Sequence, residues 1–124
     1  DYTELPVSDA QSATGVTAAW SAGEAGTVVR LTTNGFGGAI DLMVGVDKEN
    51  RVTGVAIISH SETASLGANC TREDFRAQFA GKTGELAVTK DGGDIDALTG
   101  ATVTSRAVTR AVNAALAYAG EVQK

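Results

Sequence analysis

Four hydroxyl side chains stand within seven residues, around a glycine, in the run Asp96-Ala97-Leu98-Thr99-Gly100-Ala101-Thr102-Val103-Thr104-Ser105. The residues that follow have helical periodicity, so the run is expected to be a loop that feeds a helix N-terminus. Free backbone N–H groups and the positive end of the helix dipole meet there, an arrangement that favours a phosphate. Gly100 has no Cβ and lets the main chain approach a ligand closely. A plainer use is also open: Thr99, Thr104 and Ser105 are residue types that cap helices. Residue types and spacing alone do not separate the two uses.

Other chemistry is scarce. His60 is the single histidine and Cys70 the single cysteine. Together they leave no plausible zinc or haem site, and Cys70 has no partner for an internal disulfide. Cys70 reads as a small buried residue, His60 as a solvated or capping side chain in a polar loop. Nothing resembles a substrate pocket with an acid–base pair, so no residue is assigned to catalysis and no metal site is expected. Any redox chemistry would need an organic cofactor. Trp20 and Tyr118 read as packing residues rather than electron relays.

The elements that must position the run follow from composition and pattern. A chain of 124 residues suits one domain. Hydrophobic residues make up 43% and aromatics only 5%, so the core is built mainly from Val, Ile, Leu and Ala. The net charge of -5 and pI of about 4.7, with no Lys/Arg cluster, argue against nucleic acid or anionic lipid as partners. No apolar run approaches the roughly 20 residues of a membrane span. The first residue is Asp1, which suits a processed or trimmed piece, with either a signal peptide or a membrane anchor expected ahead of it.

Residues 1–15 are polar and small and read as a loose lead-in, with the domain proper over 16–124. Val16 to Trp20 suits a short strand and Thr27 to Thr33, rich in β-branched residues, another. Asn34-Gly35-Phe36-Gly37-Gly38 is a glycine-rich turn. Ala39 to Asp47 alternates, with Ile40, Leu42, Val44 and Val46 on one face. Lys48-Glu49-Asn50 is a tight connection, and Val52 to Ser59 returns to close an antiparallel hairpin. His60 to Asn69 reads as a loop. Thr71 is placed to cap a helix that carries Phe75 and Phe79 on one face and ends at Gly81. Leu86 to Thr89 is predicted as a short strand and Lys90 to Asp96 as a charged loop. Ser105 to Ala119 is predicted as a helix with Val108, Val112, Ala115 and Ala119 as its apolar stripe and Gly120 as its stop. The expected class is α+β: a twisted, mostly antiparallel sheet with helices packed on it, in a single domain.

Against this background the run at 96–105 resembles the flavinylation motif of the FMN-binding domain family, D-x-x-[ST]-G-A-[ST], commonly extended by x-T-S. The match is at Asp96, Thr99, Gly100, Ala101 and Thr102, and again at Thr104 and Ser105. Asn34-Gly35-Phe36-Gly37-Gly38-Ala39-Ile40 is similar to the family's glycine-aromatic-glycine-glycine turn, with Ala39 where Pro is common. His60-Ser61-Glu62-Thr63-Ala64-Ser65-Leu66-Gly67 is similar to its H-x-E-T-P-G-L-G loop, with Ala64 and Ser65 in place of Pro and Gly. The three matches occur in the family's order and span about residues 27–120.

The resemblance implies FMN held covalently by a phosphoester to Thr102, installed from FAD by a flavin transferase with Mg²⁺. It implies cofactor contacts from Glu62, Thr63, Leu66, Gly67, Val103, Thr104 and Ser105. Within the family the pattern is most similar to the compact domain of Rnf-type ion-translocating ferredoxin:NAD⁺ oxidoreductases. The Na⁺-translocating NADH:quinone oxidoreductases are the sister case. Those domains sit behind an N-terminal membrane helix, on the outer (periplasmic or extracellular) face. The implied role is a one-electron carrier working with other subunits of a membrane complex, not a stand-alone catalyst. Two other roles fit the residues: an extracellular flavoprotein carrier or flavin domain of a larger reductase, and a non-redox binding module whose T-G-A-T loop only caps a helix.

Overall fold

The computed structural model describes residues 3–34, 38–60, 73–84, 86–97 and 102–122, the side chains of Asp74 and Lys90 excepted. In chain order the elements are β1 (Thr3–Leu5), α1 (Asp9–Ser12), β2 (Val16–Ser21), β3 (Thr27–Asn34), β4 (Ala39–Val46), β5 (Val52–His60), α2 (Glu73–Arg76) and α3 (Thr102–Val122). Short 3₁₀ turns lie at Gly23–Ala25, Ala77–Phe79 and Thr89–Asp91.

The strands pair in sequence order as an antiparallel meander, β1-β2-β3-β4-β5. Side chains alternate across a strand, and β4 shows it most clearly: Ile40, Leu42, Val44 and Val46 are all buried. The register lines these residues up across the sheet. Ala19, Val29, Val44 and Val55 form one row; Val16, Leu31, Leu42 and Ile57 form the next. On the opposite face Arg30 reaches Asp41 across β3 and β4, where both side chains meet water.

Helix α3 lies on the apolar face, mainly against β3 and β4. Its contact face is rich in alanine, with Ala107, Ala111, Ala115 and Ala119 all buried, so the helix backbone can approach the sheet closely. The architecture is therefore α+β, an antiparallel sheet with its long helix packed on one side. Phe75 and Phe79 pack edge to face, with ring centroids 5.6 Å apart, and both are buried.

Several boundaries differ from expectation. Residues 3–12, read as lead-in, hold β1 and α1. The latter is fastened by a capping box in which the Gln11 N–H donates to Ser8 Oγ and the Ser8 N–H donates to Gln11 Oε1. No strand runs over Leu86–Thr89: Val88 makes a single parallel bridge to Ile95, and the chain turns at Thr89. Helix α3 begins three residues earlier and ends three later than its apolar stripe suggests, and Gly120 lies inside it. Asn50, left-handed at φ 62°, explains part of this extension: its Nδ2 donates to the Leu116 carbonyl, and its side chain lies beside Gly120. The helix expected to carry both Phe75 and Phe79 up to Gly81 is, among the described residues, only α2, followed by the 3₁₀ turn Ala77–Phe79 with C-cap Ala80; Gly81, at φ 80°, lies just beyond it. Thr71 and Cys70 lie outside the described residues.

Tyr118 fastens the N-terminal segment to the helix. Its hydroxyl donates to the Pro6 carbonyl at 2.6 Å, and its side chain is buried. Burial, and secondly the charge of Glu121, raise its pKa above the ordinary tyrosine value. The unfolded chain therefore ionises this group first as pH rises, so its stabilising effect is complete below about pH 10 and is lost as pH climbs through the folded pKa. Tyr118→Phe is expected to lower stability by about 1 kcal/mol at neutral pH and to flatten the alkaline decline. Urea unfolding of both proteins between neutral and strongly alkaline pH checks this; parallel curves would assign the decline to other groups.

Candidate functional site

The first helical residue of α3 is Thr102. Successive helix residues are rotated by about 100°, so the hydroxyl-bearing residues of the run face different surroundings. Thr104 and Ser105 point into the core and are 0% exposed. Thr102 is half-buried, and Val103 is 47% exposed. Thr109 Oγ1 donates to the Ser105 carbonyl at 2.8 Å, tying the buried side of this first stretch together. The capping use considered for Thr104 and Ser105 does not hold, because both lie inside the helix rather than at its N-cap.

Two contacts fix the segments that lead into α3. Gln78, beside buried Phe79, grips the backbone of Asp96 with its amide: the Asp96 N–H donates to Oε1 at 2.6 Å, and Nε2 donates to the Asp96 carbonyl at 3.0 Å. Ile95 is buried on one side of Asp96, and Ala97 packs partly against the core on the other, while Asp96 itself is exposed. Farther on, Arg106 makes a bidentate pair with Asp91, Nε to Oδ2 at 2.9 Å and Nη2 to Oδ1 at 2.8 Å. The hydrogen bond first, and the Asp91 charge second, raise the Arg106 pKa. Gly93 closes this turn. A Cβ there would collide with the Ala87 carbonyl oxygen, so a close backbone approach holds Ile95 in place.

The course of α3 relates its start to the rest of the fold. Leu116 lies beside Asn50, in the turn between β4 and β5. Arg110 instead reaches the opposite end of the sheet, where its Nη2 donates to the Asn34 carbonyl at 3.2 Å. Thr102 precedes Arg110 by eight residues, about 12 Å of helix, so the helix start lies toward that same end. β3 ends there at Asn34, paired with Ala39, and β5 ends there at His60, whose register partner is Ile40. A cleft of about 190 Å³ lies along the N-terminal half of α3, walled by Leu86, Val88, Asp91, Arg106, Arg110 and Asn113.

Of the residues singled out in the sequence, Asp96, Thr102, Val103, Thr104 and Ser105 are thus placed. Thr99, Gly100 and Ala101 lie outside the described residues, as do Glu62, Thr63, Leu66 and Gly67. Sequence reading missed Gln78, Asp91, Arg106 and Arg110. Only Arg106 left a local trace, its position four residues after Thr102 on a predicted helix.

Residues 35–117 match the family described as FMN-binding domain. The chain belongs to that family. Among curated proteins this FMN-binding domain is similar to the G subunit of the proton-translocating ferredoxin:NAD(+) oxidoreductase complex of Clostridium ljungdahlii. The two are 45% identical over 93 residues, covering 72% of this chain and 50% of that protein. It is similar also to the G subunit of the ion-translocating oxidoreductase complex of Salmonella typhimurium, 47% identical over 94 residues, or 69% of this chain and 46% of that one. The namesake from Methanosarcina acetivorans is 38% identical over 95 residues, or 75% and 50%. The chain spans about half the length of the curated relatives it matches. Among the described residues, no helix is long and apolar enough to cross a membrane.

Proposed function

We propose that this domain is the covalent FMN carrier of an Rnf-type ion-translocating ferredoxin:NAD⁺ oxidoreductase, the G subunit of that complex, with FMN phosphoester-linked to Thr102. One observation carries the choice of residue. Among the described hydroxyls of the motif, only that of Thr102 belongs to a side chain that meets solvent at the helix start; those of Thr104 and Ser105 are sealed in the core. The surroundings suit a phosphate, because the first N–H groups of a 21-residue helix have no carbonyl partner within it.

Maturation assigns this chain one chemical task. Thr102 Oγ, losing its proton, attacks the phosphorus on the FMN side of FAD. The new Oγ–P bond forms as the pyrophosphate bond breaks, and AMP leaves. The flavin transferase, with Mg²⁺, supplies the donor and the activation. Asp96, Thr99, Gly100 and Ala101 present the hydroxyl. Gln78 and Asp91 hold the two flanks of that loop, so the acceptor is positioned by contacts outside the motif.

Bound FMN supplies one-electron transfer between partners. The covalent link keeps it on the protein outside the cell, while Glu62, Thr63, Leu66, Gly67 and Val103 border it and limit water. The other subunits of the complex are the electron partners, and an N-terminal helix beyond this chain anchors the domain to the outer face of the membrane.

The test is the intact mass of the protein made with and without a co-expressed flavin transferase. A gain of one FMN less water, with yellow colour that survives denaturation, is the expected result. An unchanged mass under both conditions rejects the proposal and favours a non-redox binding role.

A further inference from the structure

Arg106 follows Thr102 by four residues, which makes the two side chains neighbours on one face of α3. Helical side chains lean toward the N-terminus, so the Arg106 guanidinium is carried back toward the level of Thr102. Asp91 holds the guanidinium in one orientation through Nε and Nη2. The fork used on Asp91 leaves Nη1 with no hydrogen-bond partner among the described residues, and the side chain is 42% exposed. The guanidinium therefore has both a fixed orientation and a free Nη1 donor, and it borders the cleft that runs along α3 from Arg106 to Asn113.

We propose that Arg106, oriented by Asp91, is a positioning residue for the phosphate on Thr102. This rests on the reading that Thr102 carries the flavin. A phosphodiester keeps one negative charge on two non-bridging oxygens. The helix N-terminus offers them N–H groups, and Arg106, its charge partly balanced by Asp91, adds a directed charge-assisted donor through Nη1. Asp91 matters because it removes the rotamer freedom that an exposed arginine would otherwise lose on engaging the phosphate. The pair thus orders the ribityl phosphate end of the cofactor, and the ring hangs from a fixed point rather than from a freely turning linker.

The experiment compares flavinylated and unmodified forms of wild type, Arg106→Gln and Arg106→Lys. Each is checked by intact mass, then followed by melting temperature and by ³¹P NMR. Attachment should raise the wild-type melting temperature. That increment should fall by at least half in Arg106→Gln and be partly kept in Arg106→Lys. High salt should shrink the wild-type increment and leave that of Arg106→Gln unchanged. The ³¹P resonance of the diester should shift between wild type and Arg106→Gln, a change that loss of a surface ion pair alone would not produce. Equal increments and identical ³¹P shifts overturn the proposal. Failure of both variants to accept flavin also overturns it, since the transferase would then be reading Arg106 itself. Flavinylation of the lysine variant alone supports it, by showing that the phosphate needs the charge. A wild type that takes no flavin defeats the reading of Thr102 instead.

Discussion

Thr102→Val is expected to carry no covalent flavin at all while folding normally. Valine keeps the shape of threonine and removes only the oxygen that would join phosphorus. The position is the first of its helix and half-buried, so the stability change should stay within about 0.5 kcal/mol. No rescue should come from Thr104. Its side chain is 0% exposed, one residue from the equally buried Ser105, and presenting it would require unwinding the start of α3 and opening the core beneath it. In-gel fluorescence after denaturation, with intact mass beside it, reads the result directly. Fluorescence that stays on the Thr102→Val polypeptide would move the attachment to Thr99 and remove the basis of the proposed geometry.

Phe79→Ala should have the largest effect on stability. Phe79 is fully buried and meets Phe75 edge to face at 84°. Truncating a buried phenylalanine costs about 3–5 kcal/mol, which for a domain of this size lowers Tm by about 10–20 °C. The consequence reaches the motif, because the neighbouring Gln78 grips both backbone groups of Asp96. Denaturant unfolding measures the loss. Flavinylation of the variant well below its Tm should be slower than that of wild type, since the loop before Thr102 would lose one of its two fixed flanks. An unchanged unfolding midpoint would mean that this segment folds outside the cooperative core and does not brace the motif.

Local pattern was enough for β3, β4 and β5. The alternation from Ile40 to Val46 specifies which face is buried, because side chains repeat every two residues along a strand and a slip of one would expose the whole set. It was enough for the hairpin between β4 and β5 as well, where a short polar connection leaves little choice but to return. The motif at 96–105 was legible for a different reason: its residues are contiguous, so the chemistry of the acceptor and the helix that follows can be read without knowing the fold. The Ser8–Gln11 capping box was also readable, and was passed over because a four-residue helix has too few turns to show a period.

The sequence by itself thus determined the sheet's buried face, the α+β class, the long helix and the family to which the chain belongs. Tertiary structure alone decided which hydroxyls of the run are accessible, because that depends on the rotation of α3 against the sheet: a helix that starts at Thr102 turns Thr104 and Ser105 inward and leaves Thr102 at the margin. It alone decided the extent of α3 through Gly120, where Asn50, remote in sequence, lies against the last turns. It alone decided what braces the motif. Asp91 meets Arg106 across 15 residues, Gln78 meets Asp96 across 18, and Arg110 meets Asn34 across 76. No periodicity or motif encodes such pairs, since each partner taken singly is an ordinary polar residue and becomes specific only when the fold sets it opposite the other.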